Sequence, residues 1–170
     1  MREWASISGG VCSTEMALQL GKKVNYLVVN TGDNLGHAWH NLWKLRQRRY
    51  RVIALSSMIA CYGTYWDYIE GEGLKPFYMT CSDKAKQRHM KYFYNTIGPV
   101  VVNIGYVAED VHRIEAFKDS PKISYRFPII HMTRKECEDH IHEEGFEVLK
   151  TGCARCPKQP DKSKVPEWCL

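Results

Sequence analysis

Short apolar runs alternate along this chain with longer amphipathic segments. Val24–Asn30 (VNYLVVN) and Pro99–Ile104 (PVVVNI) are rich in β-branched residues, a composition typical of buried parallel strands. Shorter apolar runs predict three further strands, at Trp4–Ser8, Arg51–Ser56 and Arg126–Ile130. Residues 57–80 are rich in glycine and aromatic residues and show no clear period, so we expect an irregular segment there.

The segments between these runs have the pattern of helices. Ser13–Gly21 ends at its glycine, and His37–Tyr50 places its large apolar residues on one side and most of its basic residues on the other. A third helix is predicted from Ser82 or Asp83 to about Thr96, and Thr133-Arg-Lys-Glu136 forms a capping box that opens a fourth, ending at Gly145. This alternation predicts a parallel sheet with helices on both faces.

Length and composition limit the class of protein. With 170 residues, 44% hydrophobic and 25% charged, the chain has room for one well-packed domain. We expect that domain to cover residues 1–150, with residues 151–170 as a tail rich in cysteine, lysine and proline packed on it. The net charge of +5 favours an anionic partner such as a nucleotide, a sulfated compound or nucleic acid, although a slightly basic surface explains it equally well.

The chain contains neither a run of about 18 apolar residues nor an initial signal peptide, so we expect a cytoplasmic protein with no membrane partner. Its seven cysteines are then more often buried, catalytic or metal-bound than paired in disulfides.

The loop after the first predicted strand carries the first candidate site. It reads SISGGVCST, and its residues Ser8, Gly9, Gly10 and Ser13 lie between a strand and a helix. Glycines let an anion approach the backbone closely, and the helix N terminus attracts negative charge. The loop lacks the pattern of a Walker A motif, and an ordinary tight turn is the alternative interpretation.

Two further loops follow predicted strands and therefore lie at the same edge of the sheet. Thr31, Gly32 and Asp33 follow the second strand, and Gly105 follows the strongest one. Glu109, Asp110 and Arg113 come next at helical spacing. Arg113 either pairs with Glu109 on the surface or binds an anion in the crevice.

These motifs occur in one order along the chain. The SGG loop is followed by TG, by G-Y-x-x-E-D-x-x-R, by a T-x-x-x-C helix start and by G-C-x-x-C-P, and Cys81-Ser-Asp-Lys84 is similar to a C-x-x-K element. Over residues 4–158 this order resembles the PP-loop superfamily, and within it the phosphoadenosine phosphosulfate (PAPS) reductase-like proteins. Short members with this tail are familiar from phage genomes, which would place the protein in the host cytoplasm.

The resemblance implies a five-stranded, mostly parallel twisted sheet of the adenine nucleotide α-hydrolase type. It implies that the Ser8–Ser13 loop holds the phosphates of ATP or PAPS and that the Thr31–Asp33 turn lies near the adenosine. Lys84 and Arg113 would contact anionic groups. Family activities include the reduction of PAPS to sulfite, here with a thioredoxin-like reductant, and adenylation of a carbonyl oxygen before sulfur or nitrogen replaces it.

Cys12 departs from the family pattern. The ATP-pyrophosphatase branches carry SGGxDS, in which the acidic residue helps manage the metal and pyrophosphate. A cysteine in this loop argues against Mg²⁺-assisted ATP cleavage and favours the reductase-like branches. A thiol at a helix N terminus can also be reactive, which makes Cys12 a catalytic candidate; the alternative is a small residue that fills a tight loop.

The other cysteines suggest a metal site or a second nucleophile. Cys153 and Cys156 have the spacing of half of a zinc or iron–sulfur site, and the resemblance offers Cys81 as a third ligand of zinc or a [4Fe-4S] cluster. Ordinary thiols are the alternative. Cys169 weakly resembles the nucleophilic cysteine that PAPS reductases carry on a C-terminal tail. We predict Cys61 and Cys137 to be buried apolar residues.

Three functions remain open from the sequence. The first is a thiol-dependent reductase of an adenylylated sulfate, which needs Cys12 or Cys169. The second is an ATP-using, cluster-bearing sulfur transferase that acts on a nucleic acid or a small molecule. The third is a nucleotide-binding protein without catalytic activity.

Overall fold

A computed structural model describes residues 1–32, 34, 36–56, 63, 67, 71 and 86–148. Among these residues, five strands form one sheet in the order β3-β2-β1-β4-β5, and every neighbouring pair is parallel. The strands are β1 (Arg2–Ser6), β2 (Asn25–Val29), β3 (Arg51–Leu55), β4 (Val100–Ile104) and β5 (Ile123–Arg126). The predicted α/β fold with a five-stranded parallel sheet is confirmed.

Helices cover the sheet on both faces, as the alternating pattern predicted. They are α1 (Val11–Leu20), α2 (Gly36–Gln47), α3 (Arg88–Ile97) and α4 (Arg134–Glu143), with 3-10 helices at Gly21–Lys23 and Ala108–Ala116. The predicted capping box at Thr133 is present, with Thr133 accepting from the Glu136 amide and the Glu136 carboxylate accepting in return. No helix within the described ranges has the length and hydrophobicity that a membrane crossing requires.

Side chains that alternate along the strands build two cores. Ala5, Tyr26 and Val28 point to the face where α1, α2 and α4 pack. Trp4 and Leu27 point to the other face, where Tyr94 of α3 is buried against them. Because β2 is buried on both faces, its sequence is an apolar run rather than an alternating one.

The predicted strand at Arg126–Ile130 is wrong. β5 ends at Arg126, and the amide of Ile130 donates to the carbonyl of Phe127 in a turn. Pro128 cannot donate to a sheet ladder, which disfavours a strand through that position. The pairing of Val100 with Ile123 places the strand earlier, with Ile123 buried.

Residues 149–170 lie outside the described residues, and so do residues 72–85, which include the predicted start of the third helix. The boundary at residue 150 therefore stays a prediction. Helix α3 ends at Ile97, one residue after the predicted end, and Gly98 adopts a positive φ of 93° beyond it.

Candidate functional site

The strand order creates a crevice at one edge of the sheet. The chain builds β2 and β3 on one side of β1 and then crosses to build β4 on the other side. The ends of β1 and β4 form a switch point of the sheet, and such points are where ligands bind in open α/β sheets. A cavity of about 550 Å³ lies there, lined by the SGG loop, the start of the 3-10 helix and the start of α4.

The SGG loop is held by its own serines. Ser13 Oγ donates to the carbonyl of Gly10 at 3.0 Å and accepts from the amide of Ser8 at 3.1 Å. No side chain caps the N terminus of α1, and its first turn has no acidic residue. The first amides of α1 are thus available to an anion in the cavity, and Ser8, Gly10 and Ser13 line it.

Two glycines of the site are required by close backbone packing. Gly9 has φ of 75°, and a Cβ there would lie 2.2 Å from the carbonyl oxygen of Ala38 in α2. A Cβ on Gly105 would lie 2.9 Å from the carbonyl oxygen of Cys12. Gly9 joins the loop to α2, whereas Gly105 lets the end of β4 approach the start of α1.

Two arginines line the same cavity as the SGG loop. Arg113 Nη1 lies 3.0 Å from one oxygen of Asp110, and Arg134 Nη2 lies 3.6 Å from the other. Asp110 is mostly shielded, with 14% of its side chain exposed, while both arginines are about half exposed and line the cavity. Arg113 also stacks on the ring of Tyr106 at 4.6 Å. One carboxylate thus orients both guanidinium groups and neutralises only one of their charges.

Of the two alternatives for Arg113, the surface pair with Glu109 is not formed. The segment is a 3-10 helix, in which residues three apart share a face, so Arg113 pairs with Asp110 instead. Glu109 accepts from the backbone amide of Arg134 at 2.9 Å. Its carboxylate therefore fixes the N terminus of α4, and with it the position of Arg134.

Cys12 lies in the wall of the same cavity and packs against the core cluster that includes Cys137. A hydrogen bond from Cys137 is the main cause that lowers the pKa of Cys12; the charge of Arg134 adds to it, while burial and Asp110 oppose it. The same bond and burial raise the pKa of Cys137. The prediction that Cys137 is buried is confirmed, but the sequence did not reveal it as the partner of Cys12.

A second, smaller cavity of about 210 Å³ adjoins the first. The two share Ser8, Ser13, Gly105 and Tyr106, and the second is otherwise mostly apolar, with side chains from β2 and α3. Ser6, Asn34 and Lys86 supply its remaining polar groups.

Of the predicted Thr31–Asp33 turn the structure describes Thr31 and Gly32, and neither is among the residues that line this second cavity. Thr31 is buried, and both its amide and its hydroxyl donate to Asn34 Oδ1, at 2.8 and 2.9 Å. The amide of Gly32 donates to Asn30 Oδ1 at 3.0 Å. Thr31 therefore fixes the side chain of Asn34, which lines the cavity.

Several predicted residues lie outside the described part of the chain. They are Asp33, Cys81, Lys84, Cys153, Cys156 and Cys169. Within the described ranges, no three His, Cys, Asp or Glu side chains are grouped as metal ligands. The metal and tail predictions thus stay predictions.

Sequence reasoning missed Arg134 and Asn34. The capping box at Thr133 located the start of α4, but only the sheet topology shows that this start faces the SGG loop. Asn34 follows a recognised turn by one residue, and its role depends on the side-chain hydrogen bonds to Thr31.

No protein-family model matches the chain, and no curated protein sequence does. Solved structures do share its fold. A PAPS reductase from Candida auris, in a phosphate complex, superposes with a TM-score of 0.64 at 11% identity, over 86% of this chain and 74% of that one. NMN synthetase from Francisella tularensis gives 0.57 at 13% identity, over 86% of this chain and 62% of that one.

The U34-tRNA thiolase NcsA from Methanococcus maripaludis, with its [4Fe-4S] cluster, gives a TM-score of 0.59 at 13% identity, over 97% of this chain and 63% of the thiolase. The chain thus spans less than two thirds of the thiolase and of the synthetase. At these identities the likeness establishes the fold alone, a parallel α/β sheet shared with these three proteins, and membership of the PP-loop superfamily stays a prediction.

Proposed function

We propose that this protein binds an adenine nucleotide across the two cavities and acts on it as a PAPS reductase-like enzyme. The observation that carries the proposal is the cavity in which the uncapped N terminus of α1 faces Arg113 and Arg134. Backbone amides and a helix dipole on one side, with guanidinium groups on the other, suit a chain of phosphate or sulfate groups.

The nucleoside belongs in the adjoining cavity. That cavity is continuous with the first through Ser8, Ser13, Gly105 and Tyr106, and its apolar side chains suit a purine ring. Asn34 offers an amide to the edge of the base or to the ribose. The likeness to a PAPS reductase in a phosphate complex supports a phosphate group on this fold.

A sulfonucleotide such as PAPS suits the cavity better than ATP does. The loop has a thiol at position 12 where ATP-cleaving relatives carry an acidic residue, and Asp110 is already engaged by two arginines. The side chains near the loop are therefore suited to hold a terminal anion beside a thiol with a lowered pKa.

Calorimetric titration with PAPS, its desulfated product and ATP tests the assignment. Arg134→Ala should weaken the binding of PAPS by roughly 10- to 150-fold, the equivalent of the 1.5–3 kcal/mol typical of a charge-assisted hydrogen bond. Lys135→Ala is the matched control, because Lys135 pairs with Asp139 and does not line the cavity. Equal losses in the two variants, or no binding of any of the three nucleotides, would refute the proposal. Sulfite release with a thioredoxin-like reductant separates an enzyme from a protein that only binds nucleotide.

The second candidate is an ATP-dependent iron–sulfur sulfur transferase acting on a nucleic acid or a small molecule. It is favoured by the superposition of 97% of this chain on the tRNA thiolase. It requires Cys81, Cys153 and Cys156 as ligands. Anaerobic purification followed by iron, sulfide and zinc analysis tests it: about one site per chain, lost in Cys153→Ser, supports the transferase.

A further inference from the structure

A further cavity, of about 410 Å³, shares two lining residues with the first one, and these are the stacked side chains of Tyr106 and Arg113. Its other walls come from α3, from the end of the 3-10 helix and from β5. A space of about 470 Å³ continues it along α3 and is lined by most of the same residues. We call the two together the aromatic groove. Its volume lies in the range of small-molecule sites, and nothing in the proposed function uses it.

Three aromatic rings form one wall of the aromatic groove. The ring of Phe117 lies 5.6 Å from that of Tyr106 and 5.0 Å from that of Tyr125, at interplanar angles of 79° and 70°. Tyr106 is also stacked on Phe127, with 14° between the ring planes. The three lining rings are partly exposed, and they hold one another in place. The wall is therefore preformed for a flat ring, which packs on such a cluster edge to face or offset.

Cationic side chains surround these rings. Lys91 of α3 and Lys118 after the 3-10 helix line the groove, both are exposed, and neither forms an ion pair within the described residues. In the same part of the chain, no aspartate or glutamate lines the groove. Asp119, beside Lys118 in the sequence, accepts from the amide of Tyr125 at 2.9 Å. Two unpaired lysines next to a wall of rings suit a ligand that has both a flat ring and a negative charge.

We propose that the aromatic groove binds a second ligand, a small aromatic anion. Its ring packs on Phe117 and Tyr125, and its phosphate or carboxylate group binds Lys91 and Lys118. Because the groove and the first cavity share the Tyr106–Arg113 pair, the protein holds both ligands at the same time, one on each side of that pair. This inference goes beyond the proposed function, since it stands whether or not the ligand of the first cavity is a nucleotide.

Phenyl phosphate is the probe that tests the groove on the full chain. Protein labelled with ¹³C in its phenylalanine rings is titrated and followed by NMR, and the Phe117 signal is assigned by its absence in Phe117→Leu. That signal reports on the groove itself, so its shift gives the affinity at this site. Benzoate shows whether a carboxylate replaces the phosphate. We expect phenyl phosphate to bind at least about threefold tighter than cyclohexyl phosphate, which lacks the aromatic ring, and at least about tenfold tighter than uncharged benzyl alcohol.

Two substitutions separate the contributions of charge and ring. Lys118→Ala should weaken phenyl phosphate roughly tenfold at the Phe117 signal, and Lys135→Ala is its matched control, because Lys135 pairs with Asp139 and lines neither cavity. Tyr125→Leu keeps the apolar bulk but removes a flat ring, and should weaken phenyl phosphate by at least about threefold. Thermal unfolding checks each variant, and Lys118→Ala, at an exposed position, decides if Tyr125→Leu is unstable.

Four outcomes would overturn the proposal. They are no shift of the Phe117 signal with phenyl phosphate or benzoate, equal affinities for phenyl and cyclohexyl phosphate, equal losses in Lys118→Ala and Lys135→Ala, and a loss of the response once PAPS is bound. A weakening in Arg134→Ala as large as that in Lys118→Ala would place the probe in the first cavity and also overturn it. Calorimetry with PAPS keeps the two proposals apart. If the groove binds phenyl phosphate and PAPS does not bind, the proposed function fails alone; if PAPS binds and the Phe117 signal ignores both probes, this inference fails alone.

Discussion

At the scale of single residues, the site depends on positions where a side chain would occupy space that the backbone needs. Gly105 ends β4 directly against the first turn of α1, so its missing Cβ sets the distance between the two loops of the crevice. The glycine of the loop itself, Gly9, packs against the backbone of α2. A substitution at Gly9 would therefore disturb the packing of the loop as well as its contact with a ligand.

Gly105→Ala should damage the site from within. The added Cβ would lie 2.9 Å from the carbonyl oxygen of Cys12 and 3.2 Å from its carbonyl carbon, and these backbone atoms can move only with α1. We expect a loss of about 1–3 kcal/mol in the free energy of unfolding by urea, typical of overpacking, and weaker binding of PAPS by calorimetry. Gly71→Ala is the control, because no atom of the described residues lies within 4 Å of its Cβ position. Equal stability of the two variants would contradict the close approach.

At the scale of elements, the contact between α1 and α4 brings the SGG loop close to Arg134 and Cys137. Glu15 of α1 is fully buried, and it accepts from Gln19 at 2.7 Å as well as contacting His140 of α4. The hydrogen bond to Glu15 raises the pKa of His140, and Glu144 and Glu143 add to the effect. The charged form of His140 is thus favoured when the helices are docked.

This contact makes stability depend on pH in a defined direction. Because the pKa of His140 is higher in the folded chain, its contribution is complete below the unfolded value of about 6.5 and is lost as pH rises through the folded pKa. Urea unfolding of wild type between pH 6 and pH 9 should therefore show a decline that His140→Gln lacks. His142→Gln, at an exposed position of the same helix, should keep the decline. Identical profiles for wild type and His140→Gln would contradict the assignment.

At the scale of the whole molecule, one buried side chain connects three distant segments. Asn41 of α2 donates to the carbonyls of Gly9 at 2.9 Å and Glu147 at 3.0 Å, and its Oδ1 accepts from the amide of Glu147 at 2.9 Å. The SGG loop, α2 and the segment after α4 thus share one amide group. The Asn41 side chain therefore couples the conformation of the SGG loop to the packing of the segment after α4.

Asn41→Ala should affect stability and binding together. It removes three hydrogen bonds and leaves buried backbone groups unpaired, so we expect a loss of roughly 2–4 kcal/mol in the free energy of unfolding. PAPS affinity should fall in the same variant, because the carbonyl of Gly9 loses its partner. Asn95→Ala, at an exposed position of α3, should change neither quantity. Unchanged affinity in a destabilised Asn41→Ala variant would show that the loop holds its shape without this link.

The sequence by itself determined the elements and the kind of loop. Local patterns carried this information, since β-branched runs, a glycine after a helix and the Thr133 capping box act over a few neighbouring residues. They located four of the five strands and the SGG loop, and the order of the motifs implied the fold that the superpositions confirm. The fifth strand was misplaced because Ile123–Arg126 is short and the apolar residues after it belong to a turn.

Only the tertiary structure decided which side chains share the site. Arg113 pairs with Asp110 rather than with Glu109 because the segment is a 3-10 helix, in which residues three apart share a face. Arg134 and Cys137 reach the loop from more than 100 positions away because α4 packs against α1. Such pairings form after the chain has crossed from β3 to β4, on the other side of β1. No pattern of neighbouring residues encodes them, because the contacts form only when the sheet has brought those strand ends together.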